Sequence, residues 1–164
     1  ARPTLRTAGT LLGDPVAAIE QLNRTLAQQG DLPICTVAAL LLVETPAGTV
    51  ARIACAGHPP PLLVRDDAVR AVGATGAMVG AWEDATWGAE SVPLEAGDVL
   101  VLYTDGVIDA VGETGRFGEE RLTETLRGAR EAADVVARVQ DALRAFERGE
   151  QADDTAVVAL KRLS

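Results

Sequence analysis

Several residue types are scarce in this 164-residue chain, and each scarcity excludes something. It has a single histidine, His58, two cysteines, Cys35 and Cys55, and only 3% aromatic residues. One histidine without a cysteine cluster cannot build a His-rich or Cys-rich zinc site. The cysteines form no CxxC pattern and give little ground for a disulfide framework. Both fall in apolar, strand-like stretches, where they read as buried thiols suited to a reducing, cytoplasmic compartment. No basic run exceeds a dipeptide and the net charge is −9. Nucleic acid and anionic membranes are therefore poor partners, because phosphate backbones and headgroups call for clustered Lys and Arg. The longest apolar run, Val37 to Val43, is far too short to span a bilayer, and the first residues lack a signal-peptide pattern. GxSxG, P-loop and GxGxxG patterns are all missing.

What is present is a globular composition, 48% hydrophobic and 24% charged, at a length that suits one domain spanning residues 1–164. Asp14-Pro15 opens a helix, with Asp14 as cap and Pro15 in the first turn. Val16, Ile19, Leu22 and Leu26 follow at helical spacing, and Gly30 closes the segment. Residues before Asp14 read as the tail of another helix. Ile34–Glu44 and Thr49–Ala56 make a hairpin about Thr45-Pro46-Ala47-Gly48. Extended structure resumes over Pro61–Arg65 and Ala68–Val72, followed by a Gly- and Ala-rich loop holding Trp82 and Trp87. Ser91–Leu94 and Val99–Tyr103 predict a second hairpin around Glu95–Asp98. Helices over Glu119–Arg127 and Ala132–Arg148 and a strand over Thr155–Leu160 complete the order. Clustered hairpins predict a mixed α/β (α+β) fold with largely antiparallel sheet, not a doubly wound nucleotide-binding fold.

Two acidic segments carry the chemistry. Asp105 follows the apolar run Val99–Tyr103, with Gly106 letting the chain turn beside it. Asp153 and Asp154 precede Thr155–Leu160. Carboxylates at the ends of two buried strands can converge on a hard metal ion. Local turn chemistry is the competing account of Asp105, and a solvated turn that of Asp153 and Asp154. Asp109 lies four residues after Asp105 and shares a face with it if the turn is helical; otherwise it is a surface acid. His58 shapes a Gly-His-Pro turn or acts as a general acid. The two tryptophans read as packing anchors, with a binding surface as the alternative.

Four segments occur in a telling order: Ala56-Gly57-His58-Pro59-Pro60-Pro61-Leu62-Leu63, Gly97-Asp98-Val99-Leu100-Val101-Leu102-Tyr103-Thr104-Asp105-Gly106, Arg116-Phe117-Gly118-Glu119-Glu120-Arg121-Leu122 and Asp153-Asp154-Thr155. Together they resemble the phosphatase domain of the stage II sporulation protein E and RsbU type, a branch of the metal-dependent type 2C protein serine/threonine phosphatases. The resemblance implies an α-β-β-α sandwich with a pair of Mn²⁺ or Mg²⁺ ions at one end. Position by position it makes Asp105 and Asp153 metal ligands, and Asp109 a weaker, additional metal group. It implies a phosphorylated anti-anti-sigma factor as substrate, a role in sigma-factor control, and sensor domains upstream in the same protein. The family's two N-terminal acidic motifs, Gly-Asp-x-x-Asp and Gly-Asp-Val-x-Gly-x-Gly, have no counterpart here. The chain therefore reads as an N-terminally truncated family domain with about half of a metal site. Such a piece is expected to bind metal weakly and to self-associate, as a homodimer, over uncovered sheet. A phosphatase-like module that binds a regulatory partner without catalysis is the other reading.

Overall fold

The computed structural model describes residues 13–27, 34–146 and 154–163. The helix tail before Asp14, the stop at Gly30 and Asp153 lie outside them. The described residues gather into two compact units, those up to 60 together with 72–94, and 61–71 together with those from 95 onward.

The first unit begins as its sequence dictates. Asp14 Oδ1 accepts the Val16 N–H at 2.9 Å, and helix α1 runs Pro15–Ala27. Its three- and four-residue spacing buries Ile19, Leu22 and Leu26 on one side, against Ala54, Ala56, Val79 and Trp87. Strands β1 (Val37–Thr45) and β2 (Gly48–Ala56) form the expected hairpin, with Val37 opposite Ala56 and Thr45 opposite Gly48. The second unit holds β3 (Leu62–Arg65) and β4 (Ala68–Ala71), a hairpin of its own. The chain then returns to the first unit, where β5 (Ala74–Gly76) pairs with β2 in parallel and β6 (Glu90–Pro93) pairs with it antiparallel.

Strand β7 (Val99–Tyr103) centres the second sheet. It leads into a single helical turn, α2 (Asp105–Ile108), and a small hairpin of β8 (Val111–Gly112) and β9 (Gly115–Arg116). Helices α3 (Gly118–Leu126) and α4 (Ala132–Phe146) follow, and β10 (Val157–Lys161) closes the sheet in the order β10-β7-β3-β4. Leu122 and Leu126 of α3 and Val135, Val139 and Leu143 of α4 pack with Val99, Val101 and Tyr103. The sheets are antiparallel apart from the β2–β5 pair, as the clustered hairpins predict.

The second predicted hairpin does not form. β6 belongs to the sheet of β2, and β7 pairs with β10 and β3. The reason lies in the turn between them. The Leu94 N–H, which a hairpin would direct at β7, goes to the Thr49 carbonyl at 3.0 Å. Asp98, only 3% exposed, accepts the Glu95 N–H at 2.7 Å and a two-pronged contact from Arg65, at 2.9 Å from Nε and 2.6 Å from Nη2. Glu95 takes the third prong at 2.6 Å. The turn is thus tied to β3. Asp98→Ala should lower stability by about 2–3 kcal/mol, less than for a fully buried pair because Arg65 stays half-exposed and keeps Glu95. Urea unfolding checks this, and a change below about 0.5 kcal/mol would refute the clamp.

Cys35 and Cys55 are both free thiols, Cys35 half-buried and Cys55 buried. Burial pushes the Cys55 thiol up to about 11. Its reaction with a disulfide reagent should be slow in the folded protein at pH 8 and fast after denaturation. Stability should fall as pH climbs from 9 towards 11, since the unfolded thiol ionises first. Trp87 is the packing anchor the sequence suggests, its Nε1–H donating to the Ala77 carbonyl at 2.7 Å. Trp82 is not: it is 61% exposed. His58 Nδ1 lies 2.9 Å from the Pro59 carbonyl, a local turn contact. Among the described residues no helix is long and apolar enough to cross a membrane.

Candidate functional site

Strands β7 and β10 run antiparallel with Tyr103 opposite Val157. Continuing that register by one residue sets Thr104 opposite Ala156, and their backbones bond, Thr104 N–H to the Ala156 carbonyl at 3.0 Å. The end of β7 that leads to Asp105 is therefore the end of β10 that comes from Asp154. Two acidic segments some fifty positions apart meet because the strands behind them pair.

The junction is stapled by a side chain. Thr104 sits at the N-cap of α2 but makes no capping hydrogen bond. Its hydroxyl instead donates to the Asp154 carbonyl at 3.0 Å and accepts the Ala156 N–H at 2.9 Å. The hydroxyl thus spends its donor and one of its two acceptor sites across the chain. Gly106 explains the close approach. A Cβ there would stand 2.6 Å from the Asp154 carbonyl oxygen and 3.1 Å from its carbon. The expected sharp turn at Gly106 is absent, since the residue sits in α2 and not among the positive-φ glycines. What the position needs is the missing side chain, not an unusual backbone angle.

Asp105 is exposed, and its Oδ1 accepts the Gly106 N–H at 3.1 Å. Among the described residues it has no ion pair. Asp109 follows one turn later, its N–H donating to the Asp105 carbonyl at 2.8 Å. The turn is helical, as the shared-face reading requires, but the Asp109 carboxylate is engaged by Arg116 Nη1 at 2.6 Å. Asp154 is exposed, with its backbone carbonyl at Thr104 and Gly106. The Asp105 turn and the Asp154 backbone are thus brought together, Asp109 is directed to a cation of the protein, and Asp153 lies outside the described residues. Sequence reasoning missed Thr104 and Arg116. Thr104 had a local signal, a hydroxyl residue before an acid; its partner across the sheet had none.

Residues 1–163 match the stage II sporulation protein E (SpoIIE) family. The chain belongs to that family. Protein IcfG of Synechocystis is 28% identical over 152 residues, 88% of this chain and 24% of that protein. The chain thus spans about a quarter of the curated relative it matches. Among solved structures, the RsbU and RsbW domains of a Mycobacterium tuberculosis protein are 28% identical, with a TM-score of 0.78 over 99% of this chain and 47% of that one. The phosphatase domain of Bacillus subtilis SpoIIE is 18% identical, with a TM-score of 0.68 over 99% of this chain and 73% of that one. The SiaA-PP2C domain of Pseudomonas aeruginosa is 18% identical, with a TM-score of 0.74, covering 98% and 66%. The fold is that of type 2C phosphatase domains.

The resemblance implies a hard divalent ion at this site, and the residues present can be weighed against it. Mg²⁺ and similar ions take oxygen donors, often one or two carboxylates with waters completing the shell. Asp105, exposed and without an ion pair among the described residues, is such a donor. The glycine cradle beside it admits the backbone that carries the second acidic segment. The donors fit in kind. Among the described residues no group of three or more His, Cys, Asp or Glu comes together, and Asp153 lies outside them. Because the sequence holds neither Gly-Asp-x-x-Asp nor Gly-Asp-Val-x-Gly-x-Gly, Mn²⁺ binding to residues 1–164 should be weaker than micromolar; calorimetry that gave micromolar or tighter affinity would contradict this.

Proposed function

We propose that the protein containing this chain is a metal-dependent protein serine/threonine phosphatase acting in the cytoplasm on a phosphoserine of an anti-anti-sigma factor, and so on sigma-factor control. The observation that carries the reading is the Thr104–Gly106 junction, which seats the Asp105 turn against the backbone of Asp154. Family membership supports it, as does the RsbU-type relative, whose structure holds RsbU and RsbW domains together. Asp105 and Asp153 would hold Mn²⁺ or Mg²⁺. Bound there, the ions would supply positive charge for the phosphoryl oxygens and a water made acidic enough to attack. The chain's own part is positional. Thr104 fixes the two backbones, Gly106 sets their spacing, and the Asp105 carboxylate stays uncompensated by any described cation. No protein nucleophile is required, in keeping with the missing nucleophile motifs. The net change is one water added across the phosphoserine P–O bond, giving serine and inorganic phosphate.

The test is phosphate release from a phosphoserine anti-anti-sigma protein by the full-length protein with Mn²⁺, then with excess chelator. Release that needs the metal and stops on chelation is expected. A full-length protein that binds the phosphoprotein and releases nothing would replace the enzyme by the partner-binding module, a reading motivated by the missing Gly-Asp-x-x-Asp and Gly-Asp-Val-x-Gly-x-Gly motifs.

A further inference from the structure

We infer that Arg116, tethered by Asp109, is the group that grips the phosphoryl oxygens of the substrate. This deepens the phosphatase reading and rests on it. One helical turn separates Asp105 from Asp109, so their side chains share a face, with Cβ atoms about 6 Å apart. Arg116 Nη1 stands 2.6 Å from Asp109 Oδ1. The guanidinium is therefore anchored one helical turn along from Asp105.

The hairpin that presents Arg116 is braced. The Phe117 N–H closes onto the Ala110 carbonyl at 2.8 Å. At Gly112 a Cβ would come within 2.6 Å of the Phe146 carbonyl oxygen, so the hairpin lies tight on the end of α4. Arg121 is committed to support: its Nη1 donates to the Arg116 and Phe117 carbonyls at 3.1 and 3.0 Å, and its guanidinium lies 5.0 Å from the Phe146 ring centre. Arg116 itself has a side chain 71% exposed, and among the described residues Asp109 is its ion-pair partner.

An exposed Asp–Arg pair is worth at most about 1 kcal/mol. A phosphate dianion offers the planar guanidinium a two-pronged, more highly charged partner. In a chain of net charge −9, a phosphoprotein approaching a carboxylate needs such a cation locally. Asp109 then acts as a holder that keeps the arginine in place between turnovers and yields it to phosphate.

The experiment compares full-length wild type, Arg116→Ala, Arg116→Lys and Asp109→Asn, all checked for unchanged melting. Inorganic phosphate binding is read by calorimetry in Mn²⁺, and KM and kcat with a phosphoserine peptide. Arg116→Ala should weaken phosphate binding about tenfold and raise KM by more than it lowers kcat. Arg116→Lys should recover part of the loss, and Asp109→Asn, which frees the guanidinium, should tighten phosphate binding. Unchanged phosphate affinity in Arg116→Ala overturns the inference, as does wild type that binds no phosphate. So does an Asp109→Asn protein that loses Mn²⁺ affinity and kcat together, which would make Asp109 a metal group. Wild type that binds phosphate through Arg116 yet releases none from phosphoserine keeps the inference and removes the phosphatase reading, so the two failures are distinct.

Discussion

Asp105→Asn should abolish metal-dependent phosphate release by the full-length protein, a loss of about 10³-fold or more, while leaving its melting temperature within about 2 °C. The contrast follows from what the carboxylate does in the fold. Its one protein contact among the described residues is the Gly106 N–H, accepted by Oδ1 at 3.1 Å. An asparagine carbonyl can accept the same hydrogen bond. The residue is exposed, so little packing changes. What disappears is the negative charge, and a divalent ion held there would lose a ligand that a neutral amide replaces poorly. Several kcal/mol of transition-state stabilisation would go with it. Phosphate release and Mn²⁺ calorimetry on the same preparation give the check. Turnover near the wild-type rate would remove Asp105 from the metal site.

Gly106→Ala is expected to damage both the fold and the chemistry. The added Cβ would meet a backbone carbonyl at 2.6 Å, and a backbone atom cannot rotate away as a side-chain tip can. Overpacking of this kind destabilises by about 1–3 kcal/mol. Relief requires the α2 turn to part from residues 154–155, which pulls on the Thr104 staple at 3.0 and 2.9 Å. Displacing a reacting group by about 1 Å can slow a reaction about 10²-fold. Activity should therefore fall more steeply than stability. Thermal unfolding beside phosphate release distinguishes the outcomes, and an alanine variant with wild-type melting and turnover would show that the close approach is unimportant.

Much of this was legible in the residues. The α1 face, the β1–β2 hairpin, the α4 periodicity and the apolar run of β7 are local patterns, readable because helix and strand spacings repeat within a few residues. The failures share a different physics. Glu95–Asp98 looks like hairpin chemistry, but its acid was claimed by Arg65, thirty-odd positions earlier, and the flanking strands joined separate sheets. Gly106 looks like a turn glycine and is a contact glycine. The α2 turn and the β8–β9 hairpin are too short to show a period. At the site, the order of acids and strands was visible, whereas the Thr104 staple and the Arg116–Asp109 pair depend on partners that no local pattern names.

The pairing of β7 with β10 also dictates when the centre can come into being. The Thr104–Ala156 bond closes a loop containing α2, the small hairpin, α3 and α4, so Asp105 is synthesised long before the segment it faces. Long-range closures of this kind form late and slowly. During synthesis the acidic turn is then expected to stay without this neighbour until residues through Lys161 have left the ribosome. A nascent chain arrested before Val157 should then show no Mn²⁺-dependent change in protease resistance, whereas one released beyond Lys161 should show it. On the phosphatase reading, the site would then assemble only once β10 has followed the helices of the second unit.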